Sequence, residues 1–231
     1  MTEKSIQGIC EKIIDSCEFG GSIKLFDIGC SYGTFLLQAK LKFEKSYNIK
    51  HNNKVKVYAA GCDYSLKRIT LGGSLIKQNI NDCEPSEMVD FRTLIFQQNI
   101  YERTSLKQTN IIFMFDKAFD PYLCLHCLFI AINSADVQYI VTCKKAVGWN
   151  YRSKFNFQQI ILKTKVFELK GQFKNGKMTG SGESAHTFNI YEKISFRNNN
   201  LVESEKDMNL FLAQVDIPNP CAEEVINNFF Q

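Results

Sequence analysis

No apolar run in the 231-residue sequence is long enough to span a bilayer; residues 111–115 are five apolar residues, and residues 123–132 are interrupted by His126. The amino-terminal residues 1–17 form a charged amphipathic pattern and not the uniform apolar stretch of a signal peptide. The expected location is therefore intracellular, nucleus or cytoplasm, with no membrane association. Charge of one sign is also lacking, with 28 Lys and Arg against 24 Asp and Glu and a net charge of +4. That balance admits an acidic or nucleic-acid partner without the concentrated basic patch that would demand one. Zinc-ligand spacing is missing as well. Cys124-Leu125-His126-Cys127 lies in an apolar helical run with no second Cys or His pair, so it is read as core packing and no metal is expected. Nine cysteines in a chain of this size do not suggest a small secreted disulfide framework, and reduced thiols are expected. There is one tryptophan, Trp149, which either lines a pocket or anchors a loop. No internal repeat is found.

What is present is ordinary globular composition, 45% apolar and 23% charged, which excludes a largely disordered chain. One domain is expected over residues 1–195, with a polar and acidic extension over residues 196–231. Ile6, Ile9, Ile13 and Ile14 recur at helical spacing behind the hydroxyls of Thr2 and Ser5, predicting an opening helix. Residues 23–28 and 55–62 read as buried strands around a helix at 34–42, with residues 43–54, rich in Lys and Asn, as a solvated helix end and loop, an insertion and not a domain boundary. A helix over 66–79, strands over 91–97 and 110–115, a helix over 123–133 and a strand over 137–143 follow. This alternation predicts a mostly parallel sheet with helices on both faces. Residues 160–173 and 184–193 read as two β-rich runs joined through Lys174-Asn175-Gly176, a closing antiparallel pair.

The first chemical signature is Leu25-Phe26-Asp27-Ile28-Gly29-Cys30-Ser31-Tyr32-Gly33, in which an acidic residue ends a strand and glycines enter a helix. It is not G-x-G-x-x-G, because Ser31 and Thr34 occupy the second and third glycine positions, which argues against nicotinamide and flavin cofactors. The second is Val57-Tyr58-Ala59-Ala60-Gly61-Cys62-Asp63, where a strand delivers a carboxylate to the position that holds ribose hydroxyls in Rossmann-like sites. Asp63 or Ser65 also reads as a helix N-cap, and both roles can coexist. The third is Phe96-Gln97-Gln98-Asn99-Ile100, either a contact to an adenine ring and its amino group or a surface turn.

The first stretch resembles motif I of methyltransferases. The chain resembles the class I, non-SET histone-lysine methyltransferases of the disruptor-of-telomeric-silencing type and their protist and viral relatives. The resemblance rests on residues 27–33, on Gly61-Cys62-Asp63, on Asp116-Lys117-Ala118-Phe119 and on residues 177–188, and it spans residues 5–193. It implies a Rossmann-like class I α/β fold, mostly parallel with a C-terminal antiparallel hairpin. It implies S-adenosyl-L-methionine as cofactor, held by Asp27, Gly29, Cys30, Gly33, Asp63, Tyr64, Asn99 and Ile100. It also implies a protein substrate of histone or nucleosome type. The Asn-Asn-Phe that this family carries after its fourth strand is replaced here by Asp116.

Methyl transfer from a sulfonium is an in-line displacement that removes the donor's charge, so alignment and exclusion of water matter more than a strong base. Asp116 is a candidate to hold an attacking amine, with Phe119 and Tyr122 shaping a channel whose aromatic faces favour a cation. The other reading makes Asp116 a helix cap and Phe119 core packing. Asp120-Pro121-Tyr122 faintly resembles the Asp-Pro-Pro-Tyr motif of nucleic-acid amino methyltransferases. Nucleic-acid or small-molecule methylation is thus the alternative, beside a methyltransferase-like subunit that only binds. His186 either faces substrate or is structural, and Cys30 reads as a buried thiol.

Overall fold

The computed structural model describes residues 1–17, 19, 22–51, 55–81, 93–116, 119–143, 157–177 and 186–194. Helix α1 (Glu3–Ser16) starts where the Thr2 hydroxyl accepts from the Ser5 amide, and it buries Ile6, Ile9, Ile13 and Ile14 on one side. Strand β1 (Ser22–Ile28), helix α2 (Thr34–His51), strand β2 (Lys56–Asp63), helix α3 (Leu66–Asn81) and strand β3 (Thr93–Gln97) follow. Strand β4 (Ile111–Met114), helix α4 (Pro121–Asn133), strand β5 (Tyr139–Thr142), helix α5 (Phe157–Lys163) and strands β6 (Phe167–Gly176) and β7 (His186–Lys193) complete the order.

The seven strands lie in the order β3-β2-β1-β4-β5-β7-β6. The first five are parallel, and β7 enters between β5 and β6 antiparallel to both. The strand order reverses between β1 and β4, and that is where such sheets open a crevice at their carboxyl ends. One apolar cluster joins α1 and α2 to the sheet; the other, built on α4 and α5, includes Phe26, Ile112, Leu128, Ile140 and Phe157. Among the described residues no helix is long and apolar enough to cross a membrane, and no group of three His, Cys, Asp or Glu could hold a metal.

Two expectations change. The helix end read after residue 42 runs on through α2 to His51, because contacts with α1 and with Phe19 beyond it override the solvated pattern: the Tyr47 hydroxyl donates to the Phe19 carbonyl at 3.2 Å and Lys50 pairs with Asp15 of α1 at 2.7 Å. The apolar run at 160–162 is helical in α5, where Phe157, Ile160 and Ile161 are buried together; so short a run carries no decisive period. Residues 196–231, Trp149 and residues 178–185 lie outside the described residues.

The Cys-Leu-His-Cys segment falls inside α4, with Cys124, His126 and Cys127 all buried. His126 Nε2 donates to the Ile100 carbonyl at 2.9 Å, tying the exit of β3 to α4. Burial lowers the pKa of this imidazole, against the raising effect of its bonds to the Ile100 and Arg103 backbone. The native state therefore binds fewer protons than the unfolded chain below about pH 6.5, and stability falls as pH drops through that value. Thermal melts from pH 7.5 down to 5.5 should show a steeper loss of Tm in the wild type than in a His126→Gln variant. Parallel slopes would remove His126 as the cause.

Candidate active site

The β1–α2 turn is shaped by three residues in the left-handed region, Gly29 (φ 77°), Ser31 (φ 55°) and Gly33 (φ 72°). The Gly29 and Cys30 amides both donate to the Cys62 carbonyl, at 2.8 and 2.9 Å, so the turn is bound to the end of β2. A side chain on Gly29 would also place its Cβ 3.0 Å from Phe119 Cζ. The glycine thus admits the ring of a candidate acceptor residue directly against the candidate cofactor turn.

Asp63, at the end of β2, is buried at 6% exposure. Its Oδ2 accepts from the Ser31 amide at 3.0 Å and its Oδ1 from the Ser65 amide at 2.8 Å, while Arg68 Nη1 stands 3.7 Å from Oδ2. Of the two cap candidates it is Ser65 that caps α3, its Oγ accepting from the Arg68 amide at 3.4 Å, while Asp63 braces Ser65 and faces the glycine turn. A carboxylate has about four acceptor sites, so lone pairs remain after two amides are served. Asp27 is buried nearby, and its carboxyl is raised well above the ordinary carboxylate range, by burial first and then by the Asp63 charge. Burial, with help from Asp27, also pushes the Cys30 thiol up, the state of an unreactive cysteine.

The β3 exit is held to β2 by the Gln98 amide donating to the Asp63 carbonyl at 3.1 Å. Asn99 caps a one-turn 3-10 helix (Ile100–Glu102), its Oδ1 accepting from the Tyr101 amide at 3.2 Å, and Ile100 is buried. Tyr64 is 78% exposed, with its ring outside the turn. Arg103 Nε donates to Gln98 Oε1, and its guanidinium lies 5.6 Å from the Phe96 ring centre. Nothing in the sequence pattern signals that pair, because the segment between β3 and β4 has no periodic structure.

On the acceptor side, the Asp116 main chain stands at the carboxyl end of β4 as its position predicts. The side chain turns inward: it is fully buried and its Oδ1 accepts from the Cys143 amide at 2.8 Å, joining the ends of β4 and β5. The helix cap is Asp120 instead, accepting from the Leu123 amide at 2.9 Å, with Tyr122 half-buried in the first turn of α4. An aromatic row runs from Phe35 through Phe113 and Phe188 to Phe115, with His186 edge-on to Phe115 at 5.5 Å. His186 is half-buried at the same end of the sheet as Asp116.

The sequence matches no family model and no curated protein. Solved structures do match the fold. Magnesium protoporphyrin IX methyltransferase from Synechocystis PCC 6803, with bound SAH, superposes with a TM-score of 0.55 at 8% identity over 83% of this chain and 82% of that one. A putative class I S-adenosylmethionine-dependent methyltransferase from Listeria monocytogenes gives 0.55 at 13% identity over 94% and 71%. The methyltransferase domain of bacterial CtHen1-C gives 0.53 at 14% over 82% and 98%. This is the class I methyltransferase fold. Within it, the glycine turn, Asp63 and the segment after β3 all stand at the carboxyl ends of β1, β2 and β3. The Gly29–Phe119 contact then marks where the methyltransferase fold brings the ends of β1 and β4 together.

Proposed function

We propose that the chain is an S-adenosyl-L-methionine-dependent methyltransferase. The observation that carries this is the Ser31 amide bonded to Asp63, which joins a left-handed glycine turn and a strand-end carboxylate into one site at the switch point. Bound there, the cofactor supplies an electrophilic methyl group. Asp63 offers its remaining lone pairs to ribose hydroxyls, Gly29, Cys30 and Gly33 let the main chain approach the ligand closely, and Asn99 and Ile100 border the base. Phe119 and Tyr122 line the acceptor side with Asp27 below the turn, and Asp116 acts there through the Cys143 amide as a positioning residue. The acceptor we favour is a protein lysine, supported by the resemblance at Gly61-Cys62-Asp63 and by the aromatic side chains after β4, which suit a cationic amine. The Asp120 carboxylate is occupied in capping α4, which weighs against the nucleic-acid reading of Asp120-Pro121-Tyr122.

Isothermal calorimetry should give a micromolar Kd for S-adenosylmethionine and for its demethylated product, a binding free energy of about −8 kcal/mol. Absence of heat and of any thermal shift with both ligands would sink the proposal. Radiolabelled methyl transfer to histones, nucleosomes, RNA and DNA then separates lysine from nucleic-acid acceptors. Binding without transfer to any of these, or to small amines, points to a subunit that binds without catalysing.

A further inference from the structure

The glycine turn and the start of α3 share one anchor, the Asp63 carboxylate, which accepts from the Ser31 amide at 3.0 Å and from the Ser65 amide at 2.8 Å. A second contact between them lies two helical turns further along α3, at the buried Gly72. A Cβ on Gly72 would stand 2.5 Å from the Tyr32 carbonyl oxygen, 2.8 Å from the Tyr32 carbonyl carbon and 2.8 Å from Ile95 Cδ1. Tyr32 is the residue between Ser31 and Gly33, both in the left-handed region, so the main chain of α3 rests on the apex of the turn. Gly33 is packed against the same neighbours. Its Cβ would come 2.9 Å from Ile95 Cγ2 and 3.4 Å from Ile76 Cδ1. The contacts close a ring: Asp63 to Ser65, along α3 to Gly72, across to Tyr32, and through Ser31 back to Asp63.

The next residue in α3 supplies the contrast. A Cβ on Gly73 would meet nothing within 4 Å. Glycine weakens a helix interior relative to alanine, and at Gly72 the close approach of another main chain requires it.

We infer that Gly72 is a positioning residue of the cofactor site, letting α3 brace the turn so that the Ser31 amide and the Asp63 carboxylate keep the arrangement the ligand meets. The identity of that ligand rests on the methyltransferase proposal, whereas the brace is a property of the free protein. Gly72 acts through the Tyr32 main chain. A methyl group added there cannot be accommodated by rotating a side chain, because the nearest atom is a backbone oxygen. Either α3 moves off the turn or the turn moves off β2, and both displace Ser31 from Asp63.

The test compares Gly72→Ala with Gly73→Ala in the full chain, at a temperature where each is folded. Calorimetry should show the Kd for S-adenosylmethionine raised about tenfold or more by Gly72→Ala, through lost preorganisation, and unchanged by Gly73→Ala. A second measurement needs neither a variant nor the cofactor. In native-state amide exchange of the wild type at low urea, the Ser31 amide and those of residues 70–76 should exchange through one shared opening, with the same urea dependence. Separate openings, or equal Kd values for the two variants, would overturn the inference. A wild type that binds no S-adenosylmethionine but shows the shared opening would sink the methyltransferase proposal and leave the brace standing.

Discussion

Lys193→Met is expected to lower the unfolding free energy by about 2–4 kcal/mol, because the substitution leaves buried carbonyls without a donor. Lys193 is 3% exposed at the end of β7, and its Nζ donates to the carbonyls of Ala131, Ile132 and Ser134 at 3.2, 2.8 and 2.9 Å. The Ala131 and Ile132 carbonyls are among those a helix leaves unserved at its C-terminal end, where a cation is favoured, while the Ser134 carbonyl also accepts from the Val137 amide at 3.3 Å. Burial pushes the ammonium pKa down to about 8, so part of what is lost is recovered by no longer desolvating the charge. Urea denaturation of the wild type, Lys193→Met and Lys170→Met measures it. Lys170 forms a partly exposed pair with Glu192, and its removal should cost less than about 1 kcal/mol. Equal midpoints for the two variants would mean that the α4 carbonyls find water as good a partner.

Asp63→Ala should weaken S-adenosylmethionine binding by about 1–3 kcal/mol, roughly five- to 150-fold in Kd. The loss has two parts. The carboxylate's free lone pairs disappear from the ligand side, and the Ser31 and Ser65 amides lose their acceptor, which loosens both the glycine turn and the start of α3. Calorimetry well below Tm separates affinity from folding, and Asp63→Asn, which keeps one acceptor oxygen, should fall between the wild type and the alanine variant. A lowered Tm with an unchanged Kd would reduce Asp63 to an anchor of the turn.

The parts of the site that were legible in the sequence are those made by neighbours along the chain. Gly29 and Gly33 announce left-handed backbone, and Asp63 followed two residues later by Ser65 announces a helix start. The helices and strands around them show in apolar period, since burial on one side imposes 3.6 or 2 on the pattern. Asp116 shows the limit of that reasoning. Its place at the end of β4 followed from five apolar residues before it, but the direction of its carboxylate was set by the Cys143 amide, 27 residues away and just past the end of β5.

By itself, then, the sequence determined the βαβ alternation, the parallel sheet and the order of the glycine turn and the strand-end carboxylate, because each depends on local backbone preference and on side-chain periodicity. The tertiary structure alone decided the rest. It placed β7 between β5 and β6, carried α2 on to His51 against α1, and seated Lys193 under the end of α4. It also set Phe119 against Gly29. Each of these depends on atoms far apart in sequence meeting at contact distance, and no one-dimensional period records such a meeting.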